Sequence, residues 1–169
     1  NNDVRLIQPT STGGYGLDGV WADDFHHAVR TLLTNERDGY YADYRGDMAD
    51  VAFAVRNGFL YQGEMSPHWG RPRGTKVGDE PAHKFIFCVQ NHDQIGNRAF
   101  GERLNHQIDL STYKVASALL LLVPETPLLF MGQEFAATSP FLYFTDHEPE
   151  LGRLVTKGRR EEFKGFEAF

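Results

Sequence analysis

Two short apolar runs, each stopping in a knot of polar residues, constrain this chain more than any other feature. The first covers residues 84–90, Lys84-Phe85-Ile86-Phe87-Cys88-Val89-Gln90, and opens into Asn91, His92, Asp93 and Gln94. The second covers residues 127–131, with Leu128, Leu129, Phe130 and Met131, and closes in Gly132, Gln133 and Glu134. Continuous apolar runs of this length suit strands buried on both faces. Between them Ser111 or Thr112 can open a helix carrying Val115, Leu119 and Leu122, and Pro124-Glu125-Thr126-Pro127 reads as a tight connection. Strand, helix, strand implies an α/β fold with a parallel sheet. In such sheets the loops beyond the C-terminal strand ends hold the chemistry, and both polar knots fall there.

Upstream, residues 1–19 have loop composition, and Ala28-Val29-Arg30-Thr31-Leu32-Leu33 has helical spacing. Asp23 or Asp24 is placed to cap that helix. Residues 39–44 form an aromatic loop. A second helix is expected over about 47–59, with Met48, Val51, Ala52, Val55 and Phe59 inward. Residues 66–81 collect Gly, Pro and Arg without an apolar period and read as an exposed loop.

Composition removes several classes of function. The 41% apolar and 13% aromatic content fits a folded domain. A formal charge of −6 argues against a nucleic-acid partner, whose phosphates ask for a basic surface. The most apolar stretch, 115–131, is interrupted by Pro124, Glu125 and Pro127, so no membrane span is expected. The single cysteine, Cys88, excludes an internal disulfide framework, fits a reducing, cytoplasmic compartment, and reads as a small buried hydrophobe.

Two clusters carry candidate chemistry. In Gln90-Asn91-His92-Asp93-Gln94-Ile95-Gly96-Asn97-Arg98, a carboxylate, an imidazole and several amides at one strand mouth can grip the hydroxyls of a sugar. A polar turn in which Asp93 and Asn97 cap local backbone is an equal alternative. In Asp23-Asp24-Phe25-His26-His27, a metal site loses to a capped helix start, because adjacent histidines seldom aim at one point. A hydroxyl-binding pocket wall stands between these two readings. Trp21, Tyr15, Tyr40, Tyr41 and Tyr44 offer flat faces to sugar rings or simply fill the core. Arg71-Pro72-Arg73 and Lys157-Gly158-Arg159-Arg160 read as solvated surface or as partners of Glu161 and Glu162.

The run from Phe85 to Asp93, an apolar strand ending in Asn91-His92-Asp93, resembles the fourth signature region of the α-amylase superfamily. Three longer blocks are similar to the maltooligosyltrehalose trehalohydrolases within it. They are residues 94–104, residues 21–28 with 36–44, and residues 129–135 with Phe144-Thr145-Asp146-His147 and 158–163. The resemblance implies a (β/α)₈ barrel, with this chain as the C-terminal portion of the catalytic domain, approximately strands 6 to 8. It implies retaining hydrolysis of the α-1,4 bond next to the trehalose end of maltooligosyltrehalose, without metal or organic cofactor. It assigns Asp93 as transition-state stabiliser and His92, Gln94, Ile95, Gly96 and Asn97, with Asp23, Asp24, Phe25, His26 and His27, as substrate contacts.

The chain departs from that family in one respect. No segment matches the Arg-x-Asp motif of the nucleophile, and the acid/base Glu belongs just before a segment like residues 1–7. The counterpart of Glu134 is not the acid. The expectation is therefore a catalytically incomplete segment, poorly folded alone because a parallel edge and an apolar face lie open. The alternatives are a branching enzyme or another α-glucan hydrolase, or a fragment that binds carbohydrate without turnover.

Overall fold

A computed structural model describes residues 2–164. Its strands are β1 (Val20–Trp21), β2 (Met65–Ser66), β3 (Arg71–Pro72), β4 (Phe85–Phe87) and β5 (Thr126–Pro127). Its α-helices are α1 (Asp23–Thr34), α2 (Met48–Asn57), α3 (His92–Gly96), α4 (Leu110–Leu122) and α5 (Pro149–Glu162). The main sheet is parallel, in the order β1-β4-β5, with Val20 beside Phe85 and Ile86 beside Thr126. The α/β class and the parallel sheet expected from the sequence are thus present.

The apolar run at 84–90 supplies the central strand because its side chains are covered on both sides. Phe87 stacks on Phe25 of α1 with ring centroids 4.4 Å apart, and Phe85 meets Phe59 edge-on at 5.1 Å. All four rings are buried, and each contributes about 1.5–3 kcal/mol by leaving water. Gly58 makes the Phe85 contact possible: a Cβ there would lie 2.5 Å from that ring.

Several local expectations are corrected. α1 begins at Asp23, its N-cap is Ala22, and neither Asp23 nor Asp24 caps it. The second helix ends at Asn57, with Asp47 as its capping residue; Met48 is exposed and Phe59 is buried beyond the helix end. α4 starts at Leu110, capped by Asp109, and buries Tyr113, Ala116 and Leu120, whereas Val115 and Leu122 point outward. A helix apolar on every side does not reveal which face its neighbours will cover. The expected tight connection at 124–127 already contains β5, and Leu128 N–H extends its ladder to the Phe87 carbonyl (2.7 Å). The stretch 66–81 is not a plain exposed loop: it holds β3, antiparallel to β2, and Ser66 is buried. Among the described residues, no helix is long and apolar enough to cross a membrane.

Candidate active-site cleft

Parallel register sends the C-terminal ends of β1 and β4 to one side of the sheet, where their polar continuations meet. A cleft of about 500 Å³ lies there, lined by Asp23, His27, Tyr40, Trp69, Arg71, Arg73, Thr75, Asp93 and Gln94 among others. Four of the candidate residues share this lining: Asp23, His27, Asp93 and Gln94.

The Asn91-to-Asn97 segment divides into parts that hold it and parts that are free. Asn91 accepts from Asp93 N–H (2.8 Å), and Gln94 accepts from Asn91 N–H (3.1 Å), which closes a capping box at the start of α3. The N-terminal caps are therefore Asn91 and Gln94 rather than Asp93, while Asn97 does cap the C-terminal end of α3, its N–H donating to the Asp93 carbonyl (3.2 Å). The Asp93 side chain stays 60% exposed, with His92 Nε2 3.4 Å from it. His92 is also exposed and stands edge-on to Trp21 at 6.1 Å. Ile95 is core. Gly96 and Asn97 turn towards α5, where Arg159 donates to the Asn97 side-chain carbonyl (2.9 Å) and to the Gly96 carbonyl (3.3 Å).

Beneath the cleft floor, the Asp23-to-His27 segment splits the same way. Phe25 and His26 are fully buried, and His26 Nδ1 lies 2.7 Å from the Val89 carbonyl. A carbonyl only accepts, so His26 carries its proton on Nδ1, and its Nε2 accepts from the Tyr41 hydroxyl (3.1 Å). Burial, reinforced by His27 and Arg30, holds the His26 ring neutral.

Asp24 is the most heavily ligated group in the site. Its carboxylate, with no solvent exposure, accepts from Asn2 Nδ2 (2.5 Å), Leu60 N–H (2.8 Å), Tyr61 N–H (2.9 Å) and the Tyr44 hydroxyl (2.6 Å). Arg73 completes the shell as an ion pair at 3.0 Å. A buried carboxylate needs this density of donors to remain inside. Tyr44 gives its one hydrogen to Asp24, so it accepts from His27 Nδ1 (2.9 Å) and Arg73 (2.7 Å). His27 is therefore fixed with its proton on Nδ1, and burial, with Arg73 nearby, keeps the ring neutral. Its Nε2 is then the unprotonated ring nitrogen, an acceptor, on a residue that lines the cleft. Burial, and the Asp24 and Asp93 carboxylates, push Asp23 above the ordinary carboxylate range, while Arg73 opposes them.

Tyr40, one of the aromatics offered as a face for sugar rings, belongs to the lining, as do Arg73 and Trp69, which carried no site assignment from the sequence. Arg73 is neither solvated surface nor a partner of Glu161 or Glu162. Its neighbour Gly74 adopts φ +82°, and a Cβ there would fall 1.9 Å from the Tyr61 carbonyl oxygen. The Gly in Arg73-Gly74 was the available signal that this loop packs tightly. Among the described residues, no group of three or more His, Cys, Asp or Glu is arranged to hold a metal ion.

No protein-family model matches the chain. It is 48% identical over 155 residues to the malto-oligosyltrehalose trehalohydrolase of Deinococcus radiodurans, covering 90% of this chain and 26% of that protein. It is 44% identical over 162 residues to the enzyme of that name from Saccharolobus solfataricus, covering 95% and 29%. A solved structure named as an alpha amylase from Salmonella typhimurium superposes with a TM-score of 0.79 at 47% identity, over 86% of this chain and 25% of that one. The chain spans between a quarter and three tenths of the length of these relatives. Along nearly all of its own length, then, this chain is a relative of the malto-oligosyltrehalose trehalohydrolases, matching one segment of them.

Proposed function

We propose that this chain forms part of the catalytic (β/α)₈ barrel of a retaining glycoside hydrolase, contributing approximately strands 6 to 8. The enzyme cleaves the α-1,4-glucosidic bond next to the trehalose end of maltooligosyltrehalose and releases trehalose. The observation that carries this reading is the 42–48% identity to trehalohydrolases over 90–96% of the chain. The cleft chemistry agrees with it. Polyhydroxyl ligands are held by directional acceptors, and Asp23, Asp93 and His27, residues of one lining, carry them.

In this reading Asp93 stabilises the transition state. Among the described residues its carboxylate has only His92 as a nearby donor, so it can take two bonds from adjacent hydroxyls of the sugar at the cleavage point. Those bonds strengthen as the ring gains oxocarbenium character, which lowers the barrier more than it tightens the ground state. The attacking carboxylate and the acid that protonates the leaving oxygen come from residues outside these 169. The reaction needs no metal or organic cofactor. The setting is cytoplasmic, and the partner is an α-glucan rather than nucleic acid or membrane.

The test is product analysis with the full-length polypeptide that carries this sequence. Incubation with maltooligosyltrehalose should liberate free trehalose, and plain maltooligosaccharides should not. Branched products, or shortened glucans without trehalose, would assign it to another α-glucan activity.

A further inference from the structure

The turn between β2 and β3 presents Trp69 to the cleft, and nothing in the catalytic scheme uses it. Trp69 is 52% exposed, unusual for the side chain with the most apolar surface to hide. It is not exposed through looseness. Asp43, at the end of the 3₁₀ turn Gly39–Asp43, accepts from the Ser66 hydroxyl and from His68 N–H (2.9 Å). The Ser66 oxygen in turn accepts from Trp69 N–H (3.2 Å), and Gly70 N–H closes onto the Ser66 carbonyl (2.9 Å). Tyr61 fixes the Asp43 backbone by donating to its carbonyl (2.8 Å). On the side chain, His68 stands perpendicular to the indole at 4.8 Å and to Tyr40, a second lining residue, at 6.2 Å.

A flat apolar face held rigid beside carboxylates and guanidinium groups has a specific complement. A pyranose ring carries C–H groups on its faces and hydroxyls around its edge. Stacking would remove indole surface from water while the ring edge reaches polar groups of the same lining, such as Asp23, Arg71 and Arg73. Holding the turn in advance lowers the ordering cost of binding. We infer that Trp69 is a stacking platform for one glucose ring of the bound α-glucan, and that Asp43 is the positioning residue that fixes it. This rests on the proposed α-glucan activity and adds a subsite to it.

The experiment uses the full-length protein and its Trp69→Ala, Trp69→Phe and Asp43→Asn variants, with maltooligosyltrehalose as substrate and maltooligosaccharide as binding ligand. Trp69→Ala should raise KM about tenfold and leave kcat within about threefold, the pattern of lost binding common to ground and transition states. Trp69→Phe should recover part of the loss. Asp43→Asn should raise KM in the same direction, with the melting curve checked to exclude general unfolding. The near-ultraviolet fluorescence change on adding maltooligosaccharide should shrink in Trp69→Phe relative to the parent. A KM within twofold of the parent for Trp69→Ala would overturn the platform while leaving the activity standing. If the parent binds the glucan but releases no trehalose, the activity fails, and the platform is still judged by the affinity of Trp69→Ala. If the parent binds no α-glucan at all, both fall.

Discussion

Arg159 donates a hydrogen bond of 2.9 Å to the side chain of Asn97, joining α5 to the segment that carries Asp93. The guanidinium also lies 3.5 Å from the centre of the Tyr143 ring. α5 has no buried residue of its own, so this side chain is a principal attachment. Arg159→Met should cost about 1–2 kcal/mol of stability, from the hydrogen bonds and the cation–π contact. Arg159→Lys should not restore it, because an ammonium cannot fork between two acceptors while lying flat on a ring. Urea midpoints of the three full-length proteins decide this; full rescue by lysine would show that only the charge counts.

Arg73 is the cation that neutralises buried Asp24. Arg73→Met should destabilise by about 3 kcal/mol, because it leaves a carboxylate inside without its counter-charge. Adding Asp24→Asn to that background should return part of the loss, since the stranded charge goes with it. A double-mutant cycle in the full-length protein measures the coupling, and simple additivity would contradict the ion pair.

Asp93→Asn in the full-length protein should reduce kcat by several orders of magnitude while glucan affinity changes far less. The carboxylate is exposed and, among the described residues, accepts no hydrogen bond that holds the fold, so the melting temperature should stay near the parent value. Equal losses in kcat and affinity would make Asp93 a ground-state binding residue.

Glu125 is buried at the entry to β5, and its Oε2 has no hydrogen-bond partner among the described residues. Burial, only partly offset by its own backbone N–H, raises its carboxyl above the ordinary range. A raised folded-state value means that stability is fully present below the unfolded carboxylate range, near pH 4, and is lost as pH rises through the folded value. Glu125→Gln has no charge to desolvate, so in the full-length protein its melting temperature should match the parent at acid pH and exceed it increasingly towards neutrality. A constant difference across pH would assign the effect to packing instead.

The isolated 169-residue polypeptide should unfold without a sharp cooperative transition and should bind a dye for apolar surface. Val115, Leu122, Met131 and Phe135 are each at least 66% exposed, along α4 and the continuation of β5. Such surface is covered in stable proteins. A reversible, cooperative melt at micromolar concentration would refute this.

What could be read from the residues depended on how local the deciding contact was. The central strand was legible because Phe85, Phe87 and Val89 sit in one unbroken apolar run, and the polar mouth at Asn91-His92-Asp93 because it adjoins that run. β1 was not, since two residues carry no periodicity; only its pairing with Phe85 and Ile86 makes it a strand. The outward face of α4 escaped for a related reason, because a uniformly apolar helix takes its orientation from its neighbours. Arg73 was invisible as a site residue because its partners, Asp24 and Tyr44, are distant in sequence and near only in space. Asp24 and Asp23 are adjacent and identical in type, yet one is sealed by donors and the other opens to the cleft.

The shell around Asp24 also sets an order of events during synthesis. Its donors come from Asn2, Tyr44, Leu60, Tyr61 and Arg73, so no early stretch of nascent chain can satisfy it. Until Arg73 leaves the ribosome, the start of α1 holds a carboxylate that is better off in water than inside. The cleft wall must therefore be assembled late, by contacts that are costly in loop closure, even though α1 itself can form early.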